Sequence, residues 1–366
     1  MTRIAIVGAN GQVGAEVCLR LREAEGIDVV PVVRNVSGSA FLRLNGMDCR
    51  HGRIADPADA HRLIGDCDVV VNFALSTTAI PRVDRDVNRN IVRGILAGAK
   101  PGAPIVFAST IMVYAPAMKF RFLDSYGLEK LIVEKMFGRL CRASHHPFFV
   151  FRLGHVMGDL QNITHKMCGE IRGGRVVLPH QGRTGSNTVF TATIVEAIVQ
   201  AARGAQRPGT YDLITSPQWS WLEVYEYYAA QLQVPLQSAK VDEVHHPQAR
   251  SGGPGGLVQR WLGYLRHNQS LRERLMFLLA YLPADLNQRI YSRYLQTRAR
   301  AEINALRQSE KIELCVPDWR ELRVQAMAQL PDPETLMLRY PLQCTFGYPE
   351  ADCLQGLGLP AQHLPR

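Results

Sequence analysis

The segment GANGQVG at residues 8–14 restricts the possible folds of this chain more than any other feature. It follows the apolar run RIAIVG, precedes an amphipathic stretch and has glycine at positions 8, 11 and 14. Such glycines permit a tight turn, approach of a pyrophosphate to the backbone, and close contact between helix and strand. One interpretation is an ordinary glycine-rich turn. The interpretation that we favour is a dinucleotide site, in which the helix N-terminus offers N–H groups to phosphate. The residues expected to line it are Gly8, Asn10, Gly11, Gln12, Val13 and Gly14.

Short apolar runs alternate with amphipathic stretches over the first 155 residues. The runs lie at 3–8, 28–33, 68–74, 104–110 and 148–154, and helices are predicted near 13–24, 57–65, 84–99 and 126–142. Strands that are apolar throughout are typical of a parallel sheet covered by helices on both faces. We therefore predict an α/β fold with a Rossmann-type, doubly wound parallel sheet over residues 1–155, to which 187–215 return.

The pattern changes beyond residue 155. Segment 173–187 is predicted to be a loop, 209–215 a strand, and 192–203 and 220–232 helices. The last of these helices has Ser220 as its expected N-cap, with Glu223 three residues later. Residues 156–186 and 216–366 are expected to form a smaller, mostly helical, substrate-binding part.

Residues 257–307 form a basic segment. Leucines occur there at helical spacing, and the stretch from Arg250 to Arg307 contains ten arginines but only three acidic residues. One interpretation is a helical subdomain whose leucine face packs on the protein or on a second copy. The other is a peripheral contact of basic amphipathic helices with an anionic membrane. The apolar run 275–282 is too short to span a membrane.

The composition limits the class of protein. The net charge of +9 favours anionic partners but does not choose among them, and no nucleic-acid-binding module accompanies it, so we expect no nucleic-acid partner. The eight cysteines are scattered without ligand spacing, which predicts reduced thiols and no metal site. Because no apolar, cationic leader precedes the first strand, we expect a cytoplasmic protein.

The sequence SYGLEK at residues 125–130 places Tyr126 one helical turn before Lys130. A tyrosine has a pKa of about 10, too high for a base near neutral pH. A neighbouring ammonium stabilises the phenolate and lowers that pKa. Tyr126 could then exchange a proton with a carbinol or carbonyl oxygen while hydride moves at carbon. The simpler alternative is a surface aromatic residue on an amphipathic helix.

The choice of dinucleotide depends on Arg34, which closes the second predicted strand. An acidic residue at this place would accept the ribose 2′-hydroxyl of NAD, whereas arginine suits a 2′-phosphate. We therefore favour NADP, with Asn35 and Ser37 as further hydrogen-bonding groups. NAD stays open as the alternative, because Arg34 can also be a solvated loop residue.

Taken together, these segments resemble the extended short-chain dehydrogenase/reductase superfamily, and within it the NAD(P)-dependent epimerase/dehydratase family, over about residues 3–235. FASTIMVYA at 107–115 resembles the family's serine/threonine strand end, and YGLEKLIVEKM matches its Tyr-x-x-x-Lys helix, including Glu134. RIADPAD at 53–59 is similar to the adenine-contacting segment, VVVNFAL at 69–75 to a strand end against the cofactor, and FRLGHVMG at 151–158 to a strand end that meets substrate.

The resemblance implies roles for individual residues. Thr110, Tyr126 and Lys130 would be catalytic, and Lys130 would also hold the nicotinamide ribose. Asp56, Phe73 and Ala74 would contact the cofactor. Ser109, His155 and Arg183 are candidates for substrate contact, the last for a phosphate. A homodimer is common among similar proteins.

Two departures from the family pattern limit the reaction. Ile111 and Met112 follow Thr110 where the 4,6-dehydratases carry an acid and a base, so elimination is not expected. The loop 115–125 is shorter than in sugar-nucleotide epimerases, which favours a less polar substrate or a more open site and counts against a nucleotide sugar. The expected function is NAD(P)-dependent oxidation, reduction or epimerisation of a secondary alcohol or ketone, with a nucleotide sugar as the main substrate candidate. Alternatives are an NADPH-dependent reductase of a non-sugar biosynthetic ketone and a non-catalytic NADP-sensing scaffold.

Overall fold

A computed structural model describes residues 1–76, 81–117, 125–240 and 311–315, with isolated positions between 282 and 293. The basic segment 257–307 lies outside the described residues except at those isolated positions, as do residues 118–124 of the loop before Tyr126. Among the described helices, none is both long and apolar enough to cross a membrane.

Seven parallel strands form the main sheet, which confirms the predicted Rossmann-type fold class. The sheet order is β10-β6-β5-β4-β1-β2-β3. The strands are β1 (Thr2–Val7), β2 (Ile27–Val33), β3 (Arg50–His51), β4 (Val69–Asn72), β5 (Ile105–Thr110), β6 (Phe148–Leu153) and β10 (Gly209–Leu213). The chain runs outward from β1 in one direction and then, starting from β4, in the other. The crossover between β1 and β4 is therefore a topological switch point, where open α/β sheets bind ligands.

Helices cover both faces of this sheet. Among the described residues up to 215, the α-helices are α1 (Gln12–Leu21), α2 (Ala40–Leu44), α3 (Pro57–Ile64), α4 (Pro81–Gly98), α5 (Ser125–Ala143), α6 (Asn162–Arg172) and α7 (Thr191–Ala202). One apolar core joins α1 and α7 to Ile4, Val106 and Phe151. A second joins α3, α4 and α5 to the opposite sheet face, through Phe107 and Val150 among others. Because helices bury both faces of the sheet, the side chains on both sides of each central strand are mostly apolar.

The smaller part is built from short strands as well as helices. Strands β7 (His155–Met157) and β9 (Thr188–Phe190) pair with each other, and β8 (Arg175–Pro179) belongs to a three-stranded antiparallel sheet of order β11-β12-β8. Helix α8 (Trp221–Gln231) begins with the predicted capping box of Ser220 and Glu223. The other two strands are β11 (Gln237–Lys240) and β12 (Lys311–Cys315).

The prediction of a loop over 173–187 was wrong at β8. This strand pairs with β12, which lies more than 130 residues further along the chain, so no local pattern could reveal the pairing. Its residues Val176 and Leu178 are buried in the core of the smaller part, whereas Val177 between them is exposed. The strand therefore has the alternation of an antiparallel sheet, in a stretch too short to be distinctive.

Helix α4 approaches the segment after β3 so closely that it needs glycine at one position. A Cβ atom on Gly94 would lie 1.7 Å from the carbonyl oxygen of Ile54. Gly169 in α6, in contrast, has no atom within 4 Å of a Cβ placed on it.

We predict that Gly94→Ala destabilises the protein by about 1–3 kcal/mol, because the added methyl group forces α4 away from its neighbour. Gly169→Ala should have no such cost and should gain up to about 1 kcal/mol, since alanine is the better helix former. Chemical denaturation of the two variants beside the wild type measures both. Equal effects of the two substitutions would contradict the close contact at Gly94.

Candidate active site

The predicted site residues lie along one edge of the main sheet. The glycine segment follows β1, Phe73 and Ala74 follow β4, Thr110 ends β5, His155 comes just after β6, and Arg34 follows β2. Because these strands are parallel neighbours, all their carboxyl ends meet at this edge. The edge thus runs from Arg34 and Asp56 at one end to Thr110 and His155 at the other.

The glycine segment has the geometry that a dinucleotide pyrophosphate requires. Gly8 has φ of +82°, and a Cβ atom there would lie 2.7 Å from the backbone N of Ala74. A Cβ atom on Gly14 would lie 2.5 Å from the carbonyl oxygen of Gly8. Hence the turn is tight, and the start of α1 lies directly against β1.

The first turn of α1 is open to an anion. Helix α1 has Gly11 as its N-cap, no side chain caps it, and its first turn contains no acidic residue. The first intrahelical bond joins Ala15 N to Gly11 O, which leaves the N–H groups of Gln12, Val13 and Gly14 ahead of it. These features fit the phosphates of a nicotinamide dinucleotide.

Arg34 and the turn after it stand beside this loop. Arg34 is exposed, and Asn35 Oδ1 accepts hydrogen bonds from Ser37 Oγ at 3.1 Å and from Gly38 N at 2.8 Å. A Cβ atom on Gly38 would lie 3.0 Å from the amide nitrogen of Asn10, so the turn and the glycine loop adjoin. Asp56 is exposed and caps α3, where its Oδ1 accepts from Ala58 N at 3.0 Å.

Tyr126 and Lys130 occupy the first turns of α5, next to the end of β5. Tyr126 is 42% exposed, whereas Lys130 is only 5% exposed. The Lys130 ammonium donates to the carbonyl oxygen of Ala108 at 2.6 Å and lies 4.9 Å from the centre of the Phe107 ring. Burial lowers the pKa of Lys130 to about 8, and the charge of Glu134 opposes that effect. The lysine is thus a cation held where burial disfavours its charge.

Thr110 and Ser109 point to different partners, as adjacent residues of a strand do. Thr110 Oγ1 accepts a hydrogen bond from Met112 N at 3.2 Å, a bond that does not use the hydroxyl proton. Ser109 is buried and donates its hydroxyl to Glu134 of α5. The structure therefore places Thr110 at the end of β5, two residues before Met112, whose carbonyl oxygen adjoins Gly127 of α5, and turns Ser109 towards Glu134. Both side chains are buried.

Sequence reasoning missed a buried polar group behind these residues. Arg152 donates to Glu134 through Nε at 3.2 Å and through a terminal nitrogen at 2.9 Å, and to the hydroxyl of Tyr114 at 2.9 Å. Tyr114 in turn donates to Asp212 at 2.9 Å. Burial alone would lower the pKa of Arg152, but the hydrogen bonds and charge of Glu134 outweigh it and raise the pKa. Single charged residues in the apolar strands FFVFRLG and GTYDLIT were the available signal.

A second polar cluster supports the chain just after β4. Asn88 of α4 accepts from Ser76 N at 2.7 Å and donates to Glu129 of α5 at 3.2 Å, and Ser76 donates to Asp84 at 2.7 Å. Burial raises the pKa of Glu129. The cluster joins α4 and α5 to the segment that adjoins the glycine loop.

His155 and Arg183 both lie near the start of α8. The ring centres of His155 and Trp221 are 5.3 Å apart, and Trp221 N donates to the carbonyl oxygen of Thr184, the neighbour of Arg183. Arg183 is exposed, and His155 is partly buried. Among the described residues, no group of three or more His, Cys, Asp or Glu side chains could hold a metal ion.

The profile of the NAD dependent epimerase/dehydratase family matches residues 4–213, more than half of the chain. The chain belongs to this family. It is therefore an enzyme of the epimerase/dehydratase type, as the motifs predicted. No curated protein matches it in sequence.

Solved structures of this fold include enzymes from several bacteria. The dTDP-glucose 4,6-dehydratase of Bacillus anthracis, in complex with NAD, is 19% identical, with 64% of this chain and 82% of that chain covered at a TM-score of 0.51. The UDP-glucose 4-epimerase of Thermotoga maritima, with UDP-glucose, is 17% identical over 63% and 82% of the two chains at 0.50. UDP-glucuronic acid 4-epimerase of Bacillus cereus is 16% identical over 64% and 84%, also at 0.50. At sequence identities below 20%, the structural similarity to these enzymes shows a shared fold only.

The start of α5, which carries Tyr126, lies so close to the residues after β5 that it requires glycine at position 127. A Cβ atom on Gly127 would lie 2.0 Å from the carbonyl oxygen of Met112, which is two residues beyond Thr110. Gly138 on the same helix would meet only ring atoms of Phe148, at 3.3 Å and 3.4 Å.

We predict that Gly127→Ala destabilises the protein by about 1–3 kcal/mol, because the first turn of α5 must move away from the end of β5. Gly138→Ala is the matched control and should change the free energy of unfolding by less than about 1 kcal/mol. Denaturant titration gives both values. A Gly127→Ala variant as stable as the control would show that α5 does not depend on this contact.

Proposed function

We propose that the enzyme moves hydride between a nicotinamide dinucleotide and a secondary alcohol or ketone, with Tyr126 as the acid–base group. The observation that carries this proposal is the position of Lys130. Its ammonium is fixed on Ala108 O, one helical turn after Tyr126 and beside the strand end that carries Thr110. A cation held there by the backbone favours the phenolate form of its neighbour.

The dinucleotide, when bound, supplies or accepts the hydride. The protein binds its phosphates at the first turn of α1 and orients it along the carboxyl edge of the sheet. Gly8, Asn10, Gly11, Gln12, Val13 and Gly14 would hold the phosphates, and Phe73 and Ala74, which adjoin Gly8, would contact the dinucleotide from the end of β4. Lys130 would donate to the ribose, and Asp56 would lie at the adenine end.

The side chains at the end of β5 would handle the proton. Tyr126, nearly half exposed, can take a proton from a carbinol oxygen or give one to a carbonyl oxygen. Thr110 can donate its hydroxyl proton to the same substrate oxygen, because the bond from Met112 N uses only the Thr110 oxygen. This second hydrogen bond would fix the orientation of the substrate. Ile111 and Met112 supply neither acid nor base, which argues against elimination as part of the reaction.

We predict that Tyr126→Phe lowers kcat by about 100-fold to 10,000-fold, the usual contribution of a general acid–base group. Binding of the dinucleotide, measured by thermal shift, should stay unchanged because the phosphates are held elsewhere. Near-normal turnover by the variant would remove Tyr126 from the mechanism.

For the choice of dinucleotide we propose NADP, with NAD as the alternative. Arg34 supports NADP, since it is exposed directly after β2 and the turn that follows it adjoins the glycine loop. The match to a family described as NAD dependent favours the alternative.

Thermal shift with NADPH and with NADH separates the two. We expect the larger stabilisation with NADPH, and we expect Arg34→Gln to reduce that stabilisation much more than the one by NADH. A larger shift with NADH for the wild type would overturn the preference for NADP.

As substrate we propose a nucleotide sugar. The similarity of the fold to that of enzymes acting on UDP- and dTDP-sugars supports this class of substrate. A second support is that His155 and Arg183 both lie near the start of α8. Arg183 would offer its positive charge to a phosphate of the nucleotide. The test is thermal shift with a panel of UDP- and dTDP-sugars, with dinucleotide present. The absence of a shift with every member of the panel would exclude this class.

A second candidate is net reduction of a non-sugar ketone, which Arg34 favours because NADPH is the usual biosynthetic reductant. Absorbance of the reduced dinucleotide distinguishes the two reactions. An epimerase regenerates its dinucleotide within each turnover and shows no net change, whereas a reductase consumes NADPH in proportion to the product formed.

A further inference from the structure

Three functional groups share one face of α5. Tyr126, Lys130 and Glu134 follow each other at intervals of four residues and thus stack along the helix. The first reaches the open edge of the sheet, and the other two are buried at 5% and 7% exposure. The proposed function explains the first two residues but gives no reason for a buried carboxylate one turn further on.

The carboxylate of Glu134 meets a row of polar residues that crosses three strands. Ser109 of β5 pairs in register with Arg152 of β6, which pairs in register with Asp212 of β10. Neighbours in register on parallel strands point to the same sheet face. Ser109 and Arg152 both donate to Glu134, and Arg152 reaches Asp212 through the hydroxyl of Tyr114.

We propose that Glu134 is a positioning residue: its carboxylate, held in place by Ser109 and Arg152, keeps Lys130 seated on Ala108 O as an ammonium. The role in catalysis rests on the proposed function, in which Lys130 acts on Tyr126. The role in setting the charge of Lys130 does not depend on it.

The charges along this line alternate. Lys130 is positive, Glu134 negative, Arg152 positive and Asp212 negative, so the four buried groups compensate each other. A buried charge is tolerated when it is paired and hydrogen-bonded. Arg152 takes both oxygens of Glu134, and Asp212 in turn compensates Arg152.

Within the part of the chain that the structure describes, the charge that opposes the effect of burial on Lys130 is that of Glu134. From β5 it meets the carbonyl oxygen of Ala108 and the ring of Phe107, which are neutral. On α5 it has Tyr126 one turn before and Glu134 one turn after. Burial lowers the pKa of Lys130, and the charge that raises it again belongs to Glu134. Without that carboxylate, the lysine would lose its proton at a lower pH.

This arrangement gives Ser109 a different role from the substrate contact that the motif implied. Its hydroxyl proton is donated to Glu134, whereas Thr110, which is buried to a similar extent, accepts from Met112 N through its oxygen. The role that we propose for Ser109 is to position the carboxylate of Glu134. Thr110 and Tyr126 are then the residues that would hydrogen-bond the substrate oxygen.

The charge of Lys130 can be measured directly, without knowledge of the substrate. The chain has only seven lysines, so ¹³Cε-labelled lysine gives a small set of NMR signals whose chemical shifts follow their charge, and Lys130→Met identifies the signal of interest. In the wild type we expect Lys130 to lose its proton near pH 8, below the usual range of a lysine, and to be charged at neutral pH. A neutral Lys130 at pH 7 would refute the proposal, and this measurement needs no variant of Glu134.

Two substitutions then test the role of the carboxylate. Glu134→Gln should move the titration of Lys130 to lower pH by about one unit, the effect of a charge one helical turn away in a partly screened site. Glu134→Asp keeps the charge and should keep the titration close to that of the wild type.

The matched control is Glu16→Gln in α1. Glu16 is fully buried and, like Glu134, is hydrogen-bonded by a hydroxyl group, that of Thr191, but it lies outside the row. Its variant should leave the titration of Lys130 unmoved. The proposal fails if Glu134→Gln has no effect, or if the Glu16 variant shifts Lys130 as much.

Once a substrate is found, the alkaline limb of kcat/KM should move to lower pH in Glu134→Gln and stay in place in Glu134→Asp. If the alkaline limb of kcat/KM in Glu134→Gln stayed at the pH of the wild type, Glu134 would have no role in catalysis through Lys130. Failure of the proposed function would look different: Tyr126→Phe would stay active, while the lysine titrations kept the pattern described above.

Discussion

The ion pair between Glu134 and Arg152 joins helix α5 to strand β6, the neighbour of β5 in the sheet. Both side chains are almost fully buried, and each also bonds to a neighbour, Glu134 to Ser109 and Arg152 to Tyr114. Removal of one partner from such a pair leaves an uncompensated buried charge, which costs about 3–5 kcal/mol. The position of α5 over β5, and with it the place of Tyr126 and Lys130 relative to Thr110, depends on this connection.

Close backbone contacts complete the site from the other side. Gly8 and Gly14 let the start of α1 approach β1 and the end of β4, and Gly127 lets α5 approach the residues after β5. The neighbours of all three glycines are backbone atoms, which cannot turn aside as a flexible side chain can. The glycine turn and the start of α5 are thus fixed against the same edge of the sheet, where open α/β sheets bind ligands.

The features predicted best from the sequence were those with a local signature. The apolar strand runs, the glycine turn and the capping box of Ser220 and Glu223 are short patterns, and the structure has strands, turn and cap at these places. Strand β8 was missed because its partner β12 is distant in the sequence. The interaction of Arg152 with Glu134 was missed for a related reason: a charged residue in an apolar strand signals a buried partner but does not identify it.

By itself, the sequence determined the fold class, the family and the candidate residues of the site, since these follow from periodicity, from glycine spacing and from the Tyr-x-x-x-Lys pattern. Only the tertiary structure decided what those residues touch. It turned Ser109 inward to Glu134, left Thr110 at the strand end, and brought Asp212 from a strand almost 60 residues beyond β6 into register with Arg152. The physical reason is that hydrogen bonds and charge pairs form across strands and helices whose order in the sheet differs from their order in the chain.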